Sequence, residues 1–256
     1  MLTLSPTLVA LAILGGGPKD TPDPAALYQK HAASIVAVHG IVHDDEDSLS
    51  WSFGAGVVIS EGRILTACHV VRSGEHDEIE VDEIQVTFGE RDRDGIVRAG
   101  RRMAAKAIRC DRERDLAVLR IADKLPLPKP LKLRRKAIAP GQEVVSLGHT
   151  NRGFAWTVHR CSVAGVGNLR EQSTDVALAV TPKIAERDKK DIEDDYDKLE
   201  VECVGHGMSG SVVVDADGRI AGLEQNSRYQ IRKSGTIENT FFYVTADEIQ
   251  TFRDES

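Results

Sequence analysis

The feature that most constrains this chain is a long series of short runs rich in valine and isoleucine, each closed by Gly, Asp, Asn or Pro. Residues 34–42, 54–60, 84–88 and 116–121 are examples in the first half, and 143–147, 155–166, 175–181, 211–214, 219–223 and 240–244 follow in the second. Runs of this length, β-branched and bounded by turn formers, are read as strands. Asp217-Gly218, between two of the later runs, is a strong hairpin signal. Two helices frame the strands. Asp23-Pro24 before residues 25–32 supplies an N-cap and a first-turn proline, and residues 246–252 suit a short closing helix. No internal repeat is visible.

The expected organisation has four parts: an apolar N-terminal segment (1–22), a first half (23–121), a connector (122–130) and a second half (131–256). The connector carries three prolines, which cannot donate to a sheet ladder and favour an extended path. At 256 residues the chain is long enough for one large all-β domain or two small halves. Within residues 1–22, the uninterrupted apolar run 8–14 is far too short to span a bilayer but suits the core of a secretory signal. No Lys or Arg precedes it, and Gly15-Gly16-Gly17 is a poor cleavage site. The expectation is an extracytoplasmic protein, with a cytoplasmic one carrying an apolar arm as the alternative.

Charge excludes one class of partner. The formal net charge is −7, whereas phosphate binding wants a basic surface, so no nucleic-acid role is expected. The basic stretch 129–136 reads as a solvated linker, and the mixed-charge segment 183–202 as a solvated loop. The acidic runs 44–47 and 75–83 lack the spacing of a calcium loop. Cys68, Cys110, Cys161 and Cys203 form neither a CxxC pair nor a Cys/His zinc pattern. No metal or cofactor is expected. Free, buried thiols are the expectation for the cysteines, and with them indifference to mild reductant.

Three motifs carry chemistry. ILTACHVV (64–71) runs an apolar strand into a small-residue turn presenting His69; RDLAVLRI (114–121) sets Asp115 at the mouth of a hydrophobic strand; GHGMSGS (205–211) is a glycine-rich loop around Ser209. A serine hydroxyl is a weak nucleophile at neutral pH unless an imidazole accepts its proton during attack. A carboxylate on the far ring nitrogen fixes the tautomer and stabilises the imidazolium. Singly each motif is weak; together they supply a nucleophile, a base and an orienting acid. The loop glycines allow the amides of Gly207 and Ser209 to converge on a developing oxyanion, each such donor being worth ~3 kcal/mol. Ser211 is the rival nucleophile, disfavoured by the G-x-S-G frame around Ser209. His31, His39, His43, His76, His149 and His159 show no ligand spacing and read as surface or satisfied core residues.

In this order, L-T-A-x-H-V, D-L-A-V-L and G-x-S-G-S resemble the trypsin-like serine peptidases, closest to the bacterial branch with the high-temperature-requirement and glutamyl-endopeptidase groups. The resemblance runs from about Ser34 to Ile249 and includes FGAGVVIS, GQEVVSLGH, STDVAL and FFYVTADEI. It implies an all-β fold of two six-stranded antiparallel barrels, with His69 and Asp115 on the first half and Ser209 on the second. It also implies a serine endopeptidase acting on polypeptides through an acyl-enzyme, or else a catalytically inactive member that binds peptides. An α/β-hydrolase esterase is excluded by the order His–Asp–Ser. Met208 stands where pancreatic-type members carry aspartate, so activation by a new N-terminus pairing there is not implied.

The resemblance also suggests a substrate pocket formed by Cys203, Val204, His206, Leu223 and Glu224. Cys203 and Val204 at its base are uncharged, which predicts cleavage after small or medium apolar residues. An inward-facing Glu224 favours a basic residue instead, and His206 at the rim an acidic one; strand alternation read from sequence does not decide which.

Overall fold

The computed structural model describes residues 21–43, 49–73, 79–121, 126–149, 156–168, 176–182, 209–231 and 237–255. The apolar run 8–14, the charged segment 183–202 and the loop residues 201–208 lie outside them. So do Cys203, Val204, His206 and Gly207.

Helix α1 (Pro24–His31) starts as its sequence dictates, with the Asp23 carboxylate accepting from the Ala25 and Ala26 amides and proline in the first turn. The first barrel closes in the strand order β1 (Ile35–His43), β2 (Leu49–Ser60), β3 (Arg63–Ala67), β8 (Leu116–Ile121), β7 (Val97–Asp111) and β6 (Glu83–Arg91). Two short strands, β4 (Arg72–Ser73) and β5 (Ile79–Glu80), pair beside it. The second barrel closes in the order β10 (Thr157–Asn168), β11 (Val176–Pro182), β14 (Ile237–Thr245), β13 (Ile220–Ile231), β12 (Val212–Val214) and β9 (Glu143–Gly148). Every pairing is antiparallel. The expected pair of six-stranded antiparallel barrels is therefore the architecture, and closure leaves neither sheet with an exposed edge.

The Asp217-Gly218 signal marks a real turn between β12 and β13. The Asp215 amide donates to the Arg219 carbonyl, and the Asp215 carboxylate accepts from the Asp217 and Arg219 amides. Besides the short β4 and β5, one long strand escaped the sequence reading. In β7, Arg98, Arg101, Arg102 and Lys106 face outward while Val97, Met103 and Ala105 are buried. A strand with only three inward apolar anchors over such length carries no β-branched signature, and pairing with β6 and β8 makes it one.

Helix α2 (Ala246–Asp254) begins with Thr245 capping Glu248 and buries Ile249 and Phe252. Two arginines of the first barrel hold it in place. The Arg109 guanidinium sits 4.1 Å from the centre of the Phe252 ring and 3.1 Å from Glu255, while Arg114 reaches Glu248 at 3.2 Å and Glu255 at 3.1 Å. Carboxylates on several sides hold the Arg114 guanidinium well above its ordinary pKa, first among them Asp111.

A row of rings joins the two barrels. His39 on β1 stacks edge-on to Phe53 on β2, Phe53 meets His149 at the end of β9, and His149 meets Trp156 before β10, with centroids 4.8–5.0 Å apart. The Trp156 indole donates 2.7 Å to the Ile35 carbonyl. His149 is buried, but its Nδ1 has no hydrogen-bond partner, as is true of His31 Nε2. His149 is thus a core histidine but not a satisfied one, which corrects the sequence reading, whereas His31 is only half-buried.

Burial, and then the charge of His39, push the His149 pKa down to about 4. A histidine whose pKa falls on folding stabilises the fold while neutral. That contribution is lost as pH falls from the unfolded value near 6.5 towards 4. Moving from pH 7.5 to 5 should therefore cost wild type ~2 kcal/mol that a His149→Phe variant does not lose. Chemical denaturation of both proteins at the two pH values checks this; parallel losses would mean that His149 is not the group responsible.

Candidate active site

Strands β3 and β8 are neighbours, with Ala67 opposite Leu116. One step beyond that pair, the chain after β3 enters a short 3-10 turn (Cys68–Val71), and the chain before β8 is Asp115. The ladder thus delivers His69 and Asp115 to the same place from residues far apart in sequence. Asp115 has φ +50, a left-handed conformation that Asp tolerates better than most residues. That turn lets it meet the histidine segment three times. Its carbonyl accepts from the Cys68 amide at 3.1 Å, Oδ1 accepts from the His69 amide at 2.8 Å, and Oδ2 lies 2.7 Å from His69 Nδ1. With the carboxylate holding Nδ1–H, Nε2 is the nitrogen that carries the lone pair of the neutral ring. The imidazole remains 41% exposed while the carboxylate is 21% exposed, so the base is reachable and its orienter is sheltered.

Ser209 arrives from the second barrel and is docked on the first. Its carbonyl accepts from the Ala55 amide of β2 at 2.7 Å, and the Ala55 carbonyl in turn accepts from the Thr66 hydroxyl of β3 at 2.6 Å. Two glycines make this approach possible. A Cβ on Gly54 would lie 2.6 Å from the Ser209 carbonyl oxygen, and one on Gly210, which has φ +85, would lie 2.0 Å from that of Ala55. On the other side, the Gly210 amide donates to the Glu224 carbonyl, and the Glu224 amide to that of Ser211, both at 2.8 Å. The rival nucleophile Ser211 is fully buried and out of a substrate's reach.

The cysteines correct an expectation. Cys68 and Cys110 form a disulfide, their Cα atoms 5.4 Å apart across 42 residues of sequence. Adjacency of the histidine turn to the end of β7 creates this pair, and wide spacing concealed it. Cys161 is free and buried, as expected, and burial pushes its thiol up to about 12.

Sequence reasoning also missed the scaffold around Asp115. The Gln225 side-chain amide donates 2.5 Å to the Arg114 carbonyl, tying β13 to the residue before Asp115. Asp111 accepts from the Glu113 and Arg114 amides and pairs with the Arg114 guanidinium. The spacing of three between Asp111 and Arg114 was the one available signal for the latter. Of the pocket residues named from sequence, the described ones, Leu223 and Glu224, are both buried on β13.

Comparison with known proteins agrees with this fold. The family described as "Trypsin-like peptidase domain" matches residues 54–223, spanning β2, the His69 turn, Asp115, Ser209 and the start of β13. The chain belongs to the trypsin-like peptidase domain family. Serine protease HTRA4 of Homo sapiens is 26% identical over 232 residues, which are 89% of this chain and 40% of that protein. The chain therefore spans less than half the length of that relative. The likeness to the high-temperature-requirement group read from the motifs is thus matched by a curated trypsin-like relative. The crystal structure of an inactive serine-to-alanine mutant of Rv3671c from M. tuberculosis H37Rv has the same fold. It shares 19% identity at a TM-score of 0.58, covering 90% of this chain and 92% of that one. Among the described residues, no helix of this family member is long and apolar enough to cross a membrane.

Proposed function

We propose that this chain is a serine endopeptidase in which His69, Asp115 and Ser209 form the catalytic triad. What carries the reading is the locked His69–Asp115 pair, held by two carboxylate contacts at 2.7 and 2.8 Å, together with a serine whose carbonyl is docked on β2. In the reaction, Ser209 Oγ attacks the peptide carbonyl carbon while His69 Nε2 takes the hydroxyl proton. The imidazolium is stabilised through Nδ1–H by Asp115 Oδ2. The same Nε2 then protonates the leaving amine, the C–N bond breaks and an acyl-serine remains. Water, deprotonated by His69, hydrolyses that ester and returns Ser209 to its starting state. The Ser209 amide and that of Gly207 are the donors assigned to the oxyanion. Polypeptides are the substrates this chemistry implies.

An alkyl fluorophosphonate probe tests the reading directly, since it modifies only a serine activated in this manner. Wild type should be labelled at Ser209, Ser209→Ala should not, and the labelled protein should lose its cleavage of a denatured proteome. A folded but unreactive wild type would overturn the reading in favour of a binding protein built on the same barrels.

A further inference from the structure

Asp115 belongs to the first barrel, yet the residue before it is held by the second half of the chain. The Arg114 guanidinium meets three carboxylates, Asp111 at 2.8 Å, Glu248 at 3.2 Å and Glu255 at 3.1 Å. Glu248 lies in the first turn of α2 and Glu255 just beyond its end. A planar guanidinium fork can serve several carboxylates at once in fixed geometry, which a lysine ammonium on a flexible stem cannot do. On the backbone, the Arg114 carbonyl accepts from the Gln225 side-chain amide of β13 at 2.5 Å. The Arg114 amide donates to Asp111 at 3.0 Å. Side chain, carbonyl and amide of one residue are therefore all engaged, and two of the three engagements reach the second half.

The residue that follows sits at φ +50. For a residue other than glycine such a conformation is costly, and it persists only where the surroundings over-determine it. The bonds of Asp115 itself run to the histidine segment, through its carbonyl and both carboxylate oxygens. They hold the far side of the residue. The near side is the peptide that joins it to Arg114, and the Arg114 carbonyl is the oxygen of that peptide. The bond from Gln225 therefore fixes the plane about which φ of Asp115 is measured. We propose that Arg114 is a positioning residue of the site: its grip on α2 holds the Arg114–Asp115 peptide in the orientation that aims the Asp115 carboxylate at His69, so that docking of the closing helix sets the triad. This rests on the peptidase reading above. Arg114 acts through Asp115 and not on a reacting atom, and α2 is given a part in catalysis although it carries no group of the reaction.

Two roles for Arg114 predict opposite signs at His69. As a nearby charge alone, its neutralisation in Arg114→Gln removes a cation and eases protonation of the imidazole, so the His69 titration midpoint moves up. As a positioning residue, its loss loosens the carboxylate that stabilises the imidazolium, and the midpoint moves down. The expected result is a fall of about one pH unit, read by proton NMR of the His69 ring in a Ser209→Ala background, where no turnover is needed. With Ser209 present, Arg114→Gln should lower kcat for peptide hydrolysis about 100-fold while KM changes by less than about threefold. Arg114→Lys keeps the charge without the fork and should recover only a small part of kcat. Glu248→Ala/Glu255→Ala, altered on the helix side alone, should lower kcat by a comparable factor. Combining it with Arg114→Gln should add little, because the three residues form one coupled contact.

A His69 midpoint that rises or stays in place in Arg114→Gln, or an unchanged kcat, would overturn the assignment, as would fully additive losses in the combined variant. Active wild type with none of these effects would sink the inference and leave the peptidase reading standing. A midpoint that falls as expected in a chain without turnover would do the reverse. If Arg114→Gln does not fold, Arg114→Lys and the helix-side variant still decide, since wild-type kcat in both would overturn the proposal.

Discussion

Ser209→Ala and His69→Ala should each lower kcat for peptide hydrolysis by about six decades, the loss typical when one member of such a unit is removed. The two effects should not add, because a serine without its base and a base without its serine fail at the same step. Asp115→Asn should be milder, at about four decades. Asn has one carbonyl acceptor where Asp115 uses two oxygens, one on the His69 amide and one on Nδ1. Its amide donates a proton at the other position, so either the turn or the tautomer is mis-set. Ser209→Ala removes one half-buried hydroxyl, and its docking to Ala55 runs through the backbone. Its thermal midpoint should therefore match wild type. Single-turnover kinetics with pure variants provides the check, and more than about one percent of wild-type turnover in either alanine variant would contradict the triad.

Reducing the Cys68–Cys110 disulfide should be the largest stability effect of any single bond in the molecule. A cross-link spanning 42 residues restricts the unfolded chain by about 4 kcal/mol in the chain-entropy treatment. In a protein of this size that corresponds to a drop in Tm of roughly 10 °C. Activity should fall with it. Cys68 is the residue before His69, and its amide is one of the three bonds to Asp115. Loosening the link to β7 frees the turn that aims the imidazole. Cys110→Ser should reproduce the effect of reductant, and reductant should then do nothing further to the variant. Coincident melting curves with and without reductant would show that the bridge contributes no stability.

The fold was legible because strand formation in this chain is mostly local. Runs such as 116–121 and 143–147 carry β-branched residues at strand length, and they match β8 (Leu116–Ile121) and β9 (Glu143–Gly148) closely. Asp23-Pro24 and Thr245 are caps whose bonds reach only two or three residues along the chain. The charged strand β7 was illegible for the opposite reason, since its strand character comes from neighbours on both sides.

The same division runs through the site. His69, Asp115 and Ser209 were readable because each sits in a short motif whose residue types serve a chemical step. The disulfide and the Gln225 bond to the Arg114 carbonyl join positions 42 and 111 residues apart, and no local pattern marks such a pair. Glu224 shows the boundary most sharply. Sequence placed it beside the pocket but left its direction open, because a strand residue faces in or out according to register. Sequence alone therefore determined the strand class and the helix caps, and singled out the three residues proposed as the triad, all from properties of neighbouring residues. Tertiary structure decided which cysteines bond, which serine is buried and that Glu224 turns inward. Those depend on ladder register and barrel closure, set by contacts between segments that the chain itself keeps far apart.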